Sequence, residues 1–407
     1  MKIGYLMQAG APRMRSRPFS GPAIHVREVC QGLQNLGHEV RLVTLVDRMI
    51  YYSDDCRTFV PMALAKPRIR GAFWLDRLSR VTPLDSVCFG LACRKLLPDV
   101  DVLYERMGWL GFGGSLASMM LRAPLIVEIN GDHLWERGMY GKTPQGLKRA
   151  AYTAATSRSL KRASHIVASG YQWRVQAIER FGLKPQDITV VANGSRLVEL
   201  LHREQLRSFS AHDDGSPVEI AYVGGFYPWQ AVDLLLKVIK RLVQMDLRVR
   251  LVLIGSGMGE HSARELAKQL GLDRHVTFLG ALAPEEYALS LANLDIGVAP
   301  YCGIAEFTGL KLFDYKAAGL ATIASGRNGQ PDVIKDGISG LIVKPCDEDE
   351  LLGSLITLVS NCALRRSFGR RARIEAERSH SWRHTVGGIN TIITTSVREF
   401  SRSSHNH

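Results

Sequence analysis

The chain has 407 residues, 46% of them hydrophobic and 22% charged, with a formal net charge of +13. That length exceeds what one hydrophobic core organises, so two domains are expected, and the composition is that of an ordinary soluble globular protein. The charge is uneven: residues 1–200 hold 28 Lys and Arg against 16 Asp and Glu, the remainder 24 against 23. The first half therefore points to an anionic partner, and charge alone leaves membrane surface, acidic saccharide and nucleic acid open.

The chain opens with MKIGYLMQAG, whose apolar run is too short for a signal peptide and reads as a buried first strand. Ser20-Gly21-Pro22 starts a helix, Val26, Val29, Leu33 and Leu36 recur at helical spacing, and Gly37 stops it before the strand EVRLVTL. Strand, helix and strand at this length form a βαβ unit. The longest apolar stretch, Gly108 to Val127, is interrupted by Arg122 and reads as a helix then a strand, not a membrane span. A cytoplasmic protein is the resulting expectation. DVLYER, PLIVEIN, HIVASG and ITVVANG continue the series as strands of a doubly wound sheet.

Around LRSFSAHDDGSP the composition turns polar and loses periodicity, which predicts a linker over 206–217 between domains 1–205 and 218–385. The second half repeats the grammar. EIAYVGG, RVRLVLIGSG, HVTFLG, DIGVAPY, ATIAS and GLIV are strands; VDLLLKVIKRLVQ, EHSARELAKQLG and EEYALSLANL are helices. A last helix lies past the final strand, and residues 386–407 are placed as a segment packing back on the first domain. The seven scattered cysteines show neither metal-ligand spacing nor a disulfide framework, which fits a reducing compartment.

In open α/β sheets ligands bind beyond the carboxyl ends of strands, where glycines and helix N-termini present free N–H groups. Such turns occur from Gly10 to Gly21, at Gly224-Gly225, at Gly255-Ser256-Gly257 and from Glu306 to Gly309. The last is the sharpest. EFTGLKLFD runs from a strand into a helix, with Glu306 before the helix and Gly309 and Leu310 at its start. Lys311 falls in the first turn, where a lysine opposes the helix dipole, and Asp314 lies about one turn on. The set suits a diphosphate flanked by carboxylates that bind sugar and ribose hydroxyls. A capping Glu306 with a solvated Asp314 is the plainer alternative.

This segment resembles the Glu-x7-Glu motif of family 4 glycosyltransferases, with Asp314 in place of the second Glu. GPAIHVREVCQGLQNLGHEVRLVT, DVLYER with LIVEING, VVANGS, YVGGFYPWQAVDLLL, LVLIGSGMG with HVTFLG, and GLKLFDYKAAGLATIAS resemble the same family in the same order, over residues 1 to about 385. The resemblance implies a GT-B fold of two Rossmann-like domains facing an interdomain cleft. It implies a nucleotide diphosphate sugar on the second domain, an acceptor on the first, and retaining transfer without a bound metal. Glu306 is then expected on the sugar hydroxyls and Asp314 on the ribose. Gly309, Leu310 and Lys311 fall on the departing diphosphate, Gly255 and Gly257 in the base-binding loops, and the backbone at Phe278-Leu279-Gly280 on the base.

The chain departs from the family pattern at two places. Gly225 and Gln230, in GGFYPWQA, stand where many members carry an Arg and a Lys as phosphate clamps, so more of the charge stabilisation falls on Lys311. After PLIVE, many members place a His against the sugar; here Asn130, or His133 with Glu136, takes that place. Gly21 and His25 are candidates on the acceptor side. KPRIRGAFWLDRLSR (66–80) interleaves aromatic residues with cations, which suits a helix at an anionic membrane surface as well as an ordinary amphipathic helix.

The leading expectation is a transferase acting on a saccharide or lipid-linked acceptor in cell-surface polysaccharide or glycolipid synthesis. The competing one is a sugar-nucleotide-binding partner subunit without turnover. A nicotinamide oxidoreductase lacks its GxGxxG after the first strand, and nucleic-acid binding lacks a recognition motif.

Overall fold

A computed structural model of the protein describes residues 1–8, 21–46, 49–62, 83–108, 111–131, 134, 138, 143–209, 216–302, 309–326 and 331–405. The chain forms two units. The first holds the opening strand, Pro22–Ala192 and Thr385–His407; the second holds Gly21 and Asn193–His384.

The first unit is built on an eight-stranded sheet in the order β4-β3-β2-β1-β5-β6-β7-β8. Its parallel strands are β1 (Lys2–Met7), β2 (Glu39–Val46), β5 (Val102–Arg106), β6 (Leu125–Ile129), β7 (His165–Ala168) and β8 (Ile188–Val190). The runs read from the sequence form because a parallel sheet covered on both faces needs apolar residues at every position. Helix α1 (Gly21–Asn35) buries Val26, Val29, Cys30 and Leu33, and Gly37 at φ +85° turns the chain out of it. Helices α2 (Pro83–Leu96), α3 (Gly113–Leu121), α4 (Gly146–Arg162) and α5 (Tyr171–Phe181) follow. The sequence reading did not foresee the edge: β3 (Met49–Ser53) and β4 (Val60–Met62) add antiparallel to β2.

The second unit has a six-stranded parallel sheet in the order β11-β10-β9-β12-β13-β14. The strands are β9 (Val218–Val223), β10 (Val249–Ile254), β11 (Val276–Gly280), β12 (Ile296–Ala299), β13 (Ala321–Ser325) and β14 (Gly340–Val343). Strand order reverses between β9 and β12, which places a crevice beyond their carboxyl ends. After the one-turn helix α6 (Leu197–Leu200) come α7 (Val232–Gln244), α8 (Glu260–Gln269), α9 (Pro284–Ala292) and α10 (Leu310–Ala317). Helices α11 (Glu348–Ser360), α12 (Cys362–Ser379) and α13 (Trp382–His405) close the chain. On α7, Val232, Leu235, Leu236, Ile239 and Leu242 face the core at the helical period.

Two expectations are corrected. The chain leaves the first unit at Ala192, not in a linker at 206–217, because Leu197, Leu201 and Leu206 are buried in the second unit's core beside Ala221 and Leu320. Three apolar anchors outweigh the polar composition around them. Cys302 and Cys346 form a disulfide, with Cα atoms 4.9 Å apart, where the sequence suggested none. They follow β12 and β14, so the sheet assembles a pair that lies 44 residues apart in the chain.

Helix α13 belongs to the first unit from Thr385 onward. Its Thr385 hydroxyl donates to the Ala192 carbonyl at 2.8 Å, and His38 Nε2 lies 2.8 Å from Asn390 Oδ1. Among the described residues, no helix is long and apolar enough to cross a membrane, and no group of three or more His, Cys, Asp or Glu is placed to hold a metal.

Candidate functional site

Three loops of the second unit are laced together beyond the strand ends. The Gly224 amide donates to the Ile254 carbonyl at 2.9 Å, Gly255 to Gly280 at 2.7 Å, and Phe226 to Ser256 at 3.0 Å. This closeness needs glycine: a Cβ on Gly255 (φ +142°) stands 1.9 Å from the Gly224 carbonyl oxygen. Gly257 (φ +155°) packs likewise against the Phe226 backbone. On the outer side, Leu279 is exposed at the end of β11, while Phe278 stacks on Phe226 and lies under the Arg264 guanidinium at 4.4 Å.

The start of α10 faces this lattice. Gly309 caps the helix without a side-chain bond, so the first-turn N–H groups of Leu310 and Lys311 fall among those that the helix's own carbonyls do not serve. Lys311 is 7% exposed. Its ammonium donates to Gln230 Oε1 and sits 4.7 Å from the centre of the Tyr222 ring. The Tyr222 hydroxyl in turn donates to the Gly225 carbonyl at 2.8 Å. Lys311, Gln230 and Gly225 are thus brought together. A fixed positive charge at a glycine turn beside a helix N-terminus is suited to an anionic oxygen. Next to it, Tyr227 and Trp229 stack 4.9 Å apart, and the Trp229 carbonyl accepts from the Cys302 amide at 2.8 Å.

Asp314 faces the protein interior. Ser195 Oγ donates to its Oδ1 at 2.6 Å and the Tyr287 hydroxyl to its Oδ2 at 2.7 Å. Burial pushes its carboxyl up to about 6, against the lowering effect of these two bonds. Ser195 and Tyr287 escaped the sequence reading. Ser195 ends VVANGS, a turn already singled out, whereas Tyr287 reads only as an inward position of a helix. Glu306 lies outside the described residues.

In the first unit, His25 is neither a surface nor a capping residue. It is buried on α1, with Nε2 2.9 Å from Glu128 Oε1 near the carboxyl end of β6. Burial opposes ionisation of Glu128, but His25 and Arg106 outweigh it and hold the carboxyl below its usual range. Gly21 opens α1, and Asn130, half-buried, lies one residue past β6. His133 and Glu136 lie outside the described residues, as do 66–80. A second buried acid, Glu105, was not foreseen. It meets the start of α3 at Gly114, and burial pushes its carboxyl up to about 8.

The family described as "Glycosyl transferase 4-like domain" matches residues 20–194, and that described as "Glycosyl transferases group 1" matches 203–375. The chain is 28% identical over 296 residues to the D-inositol 3-phosphate glycosyltransferase of Rhodococcus erythropolis, a match covering 70% of this chain and 64% of that protein. It therefore spans under two thirds of that relative's length. With the enzyme of the same description from Nocardia farcinica it shares 27% over 408 residues, covering 95% of this chain and 88% of the other. The solved structure of Anabaena Alr3699/HepE in complex with UDP-glucose superposes with a TM-score of 0.63 at 16% identity, covering 100% of both chains, and shows the same fold. With both units matched in order and the GT-B fold in place, the chain belongs to the group 1 glycosyltransferases.

Proposed function

We propose that the protein is a retaining glycosyltransferase. It moves a sugar from a nucleotide diphosphate sugar to a saccharide or lipid-linked acceptor, in cell-surface polysaccharide or glycolipid synthesis on the cytoplasmic side. The observation that carries this reading is the Lys311 ammonium, held at the Gly224-Gly225 turn by Gln230 and the Tyr222 ring.

When the bond between sugar and diphosphate breaks, negative charge grows on the leaving phosphate. Lys311 and the amides of Gly309 and Leu310 are assigned to meet it; groups held in position for that charge lower the barrier without reorganisation in the step. Gly255 and Gly257 let the backbone approach the nucleotide, and Leu279 offers apolar contact to the base. Glu306 is assigned to sugar hydroxyls. Asp314 retains lone-pair capacity for a ribose hydroxyl beyond the two bonds it accepts.

A uridine nucleotide is the first donor to try, given the Anabaena complex, and the basic first half suits an acceptor that carries phosphate. There His25, Asn130, His133 and Gly21 are assigned to the acceptor and sugar. No cofactor beyond the donor is invoked.

One observation favours a second reading, a binding partner without turnover: Gln230 presents its carbonyl oxygen to Lys311, where family members carry a cation. A panel of UDP- and GDP-sugars, read first by thermal stabilisation and then by nucleotide release, separates the two. The transferase reading expects one donor to stabilise the protein and to be consumed when acceptor is supplied. Stabilisation with no nucleotide released, under any acceptor, would leave the second reading standing.

A further inference from the structure

The helical layer of the first unit carries a cationic groove whose lining residues are not among those assigned above to donor or acceptor. Helix α4, GLKRAAYTAATSRSLKR, has five cations and no acid. Lys161 and Arg162 in the last turn complement the helix dipole, but Lys148 and Arg149 in the first turn oppose it and Arg158 lies outside both. Some surface arginines of other elements are paired, as Arg41 is with Asp99 and Arg241 with Asp349. None of the five α4 cations makes an ion pair with a described residue.

Helices α3 and α4 pack side by side, and between them runs a groove of about 460 Å³ lined by Met119, Ala154, Ser157, Arg158, Lys161 and Arg162. The inward face of α4 buries Tyr152, Thr156, Ser159 and Leu160. Its outer stripe is Leu147, Ala151, Ala154 and Arg158, at helical spacing and all exposed. Leu147 is 90% exposed and Met119 50%.

We propose that this face docks the protein on an anionic lipid bilayer, with headgroup phosphates in the groove against Arg158, Lys161 and Arg162. A soluble phosphate accounts for the cations but not for the outward Leu147 and Met119, which gain by entering the bilayer interface. The small side chains of Ala151 and Ala154 allow close approach along the helix. The proposal does not rest on the transferase reading and concerns residues distinct from 66–80.

The test is co-sedimentation of the full chain with vesicles of phosphatidylcholine alone, or mixed with phosphatidylglycerol, at low salt. Binding to the mixed vesicles only, falling as salt rises, is expected. Each basic residue at such a surface contributes about fivefold to partitioning, so Arg158→Ala, Lys161→Ala and Arg162→Ala together weaken it about a hundredfold. Leu147→Ser, at a position that cannot disturb packing, weakens it several-fold. Removing three cations of the second unit, Lys237→Ala, Lys240→Ala and Arg250→Ala, leaves it within about twofold.

Equal binding by the triple α4 variant, or equal loss in the second-unit variant, overturns the proposal. So does binding to neutral vesicles, or no binding at all. Release by inorganic phosphate at constant ionic strength overturns it in favour of a soluble anion. Nucleotide release plays no part in the readout, so a failed transferase assay and a failed docking assay are distinguishable.

Discussion

Lys311→Met is the perturbation that bears most directly on the proposed donor site. The change keeps the side-chain stem that packs near Gly224 and removes only the ammonium. A unit charge about 4 Å from a phosphate oxygen contributes about 4 kcal/mol at the effective dielectric of a partly buried site. The ground-state diphosphate is already charged, so part of that loss appears as weaker donor binding. The remainder falls on the step, where one pre-placed electrostatic group is worth about 10²–10³ in kcat. Stability moves less: losing the cation over the Tyr222 ring costs about 0.5–2 kcal/mol, offset by no longer burying a charge. Lys311→Arg is the companion variant. A Cβ on Gly224 stands 3.1 Å from Lys311 Nζ, so the turn closes around a compact ammonium and leaves little room for a planar guanidinium. Arginine is therefore expected to restore only a small part of turnover. The assay is nucleotide release at saturating donor, paired with calorimetric donor binding and thermal unfolding. Turnover of Lys311→Met within about threefold of wild type, with the fold intact, refutes this assignment of phosphate stabilisation.

Glu105 gives a pH test. Its folded pKa of about 8 lies above the unfolded value, so the stability associated with the neutral acid is full below about pH 4.3 and is lost as pH rises toward 8. Glu105→Gln should remove that slope: by urea unfolding, the gap between wild type and variant changes by about 1.4 kcal/mol per pH unit between pH 5.5 and 7.5, and parallel curves count against it. Tyr287→Phe takes one donor from buried Asp314 and is expected to destabilise the second unit by about 1–3 kcal/mol; an unchanged unfolding midpoint shows that the bond does not brace α10. Gly255→Ala forces the turns after β9 and β10 apart and should cost more than about 3 kcal/mol and abolish donor binding, with a wild-type melting curve as the contrary result.

Much of this architecture is written in runs and periods. The segment VDLLLKVIKRLVQ is helix α7 residue for residue, because its apolar positions repeat at a single helical period. The parallel strands stand out because both their faces are buried. The β3–β4 hairpin did not, since short edge strands are held by pairing with β2 more than by their own pattern. The polar stretch at 206–217 masked the domain crossing, which depends on where Leu197, Leu201 and Leu206 are buried. At the candidate site, Lys311 and Gln230 stood out in the sequence because one follows Gly309 at a helix start and the other follows the Gly224-Gly225 turn. The partners of Asp314 were not. Ser195 lies 119 residues away, and Tyr287 looks like any core aromatic until the fold brings its hydroxyl to a carboxylate. Tyr222, whose ring lies beneath the Lys311 ammonium, was hidden for the same reason inside a strand.

The Cys302–Cys346 bond has a topological consequence. It closes a covalent ring around everything between those residues, including Glu306, Lys311 and Asp314. A single cut of the chain within that ring cannot separate the two pieces, and α10 stays attached to the sheet at two points. In the unfolded chain the same ring removes loop freedom, by about 4 kcal/mol for a loop of this length on chain-entropy grounds. Helix α10, with Lys311 and Asp314, thus lies inside a covalently closed loop.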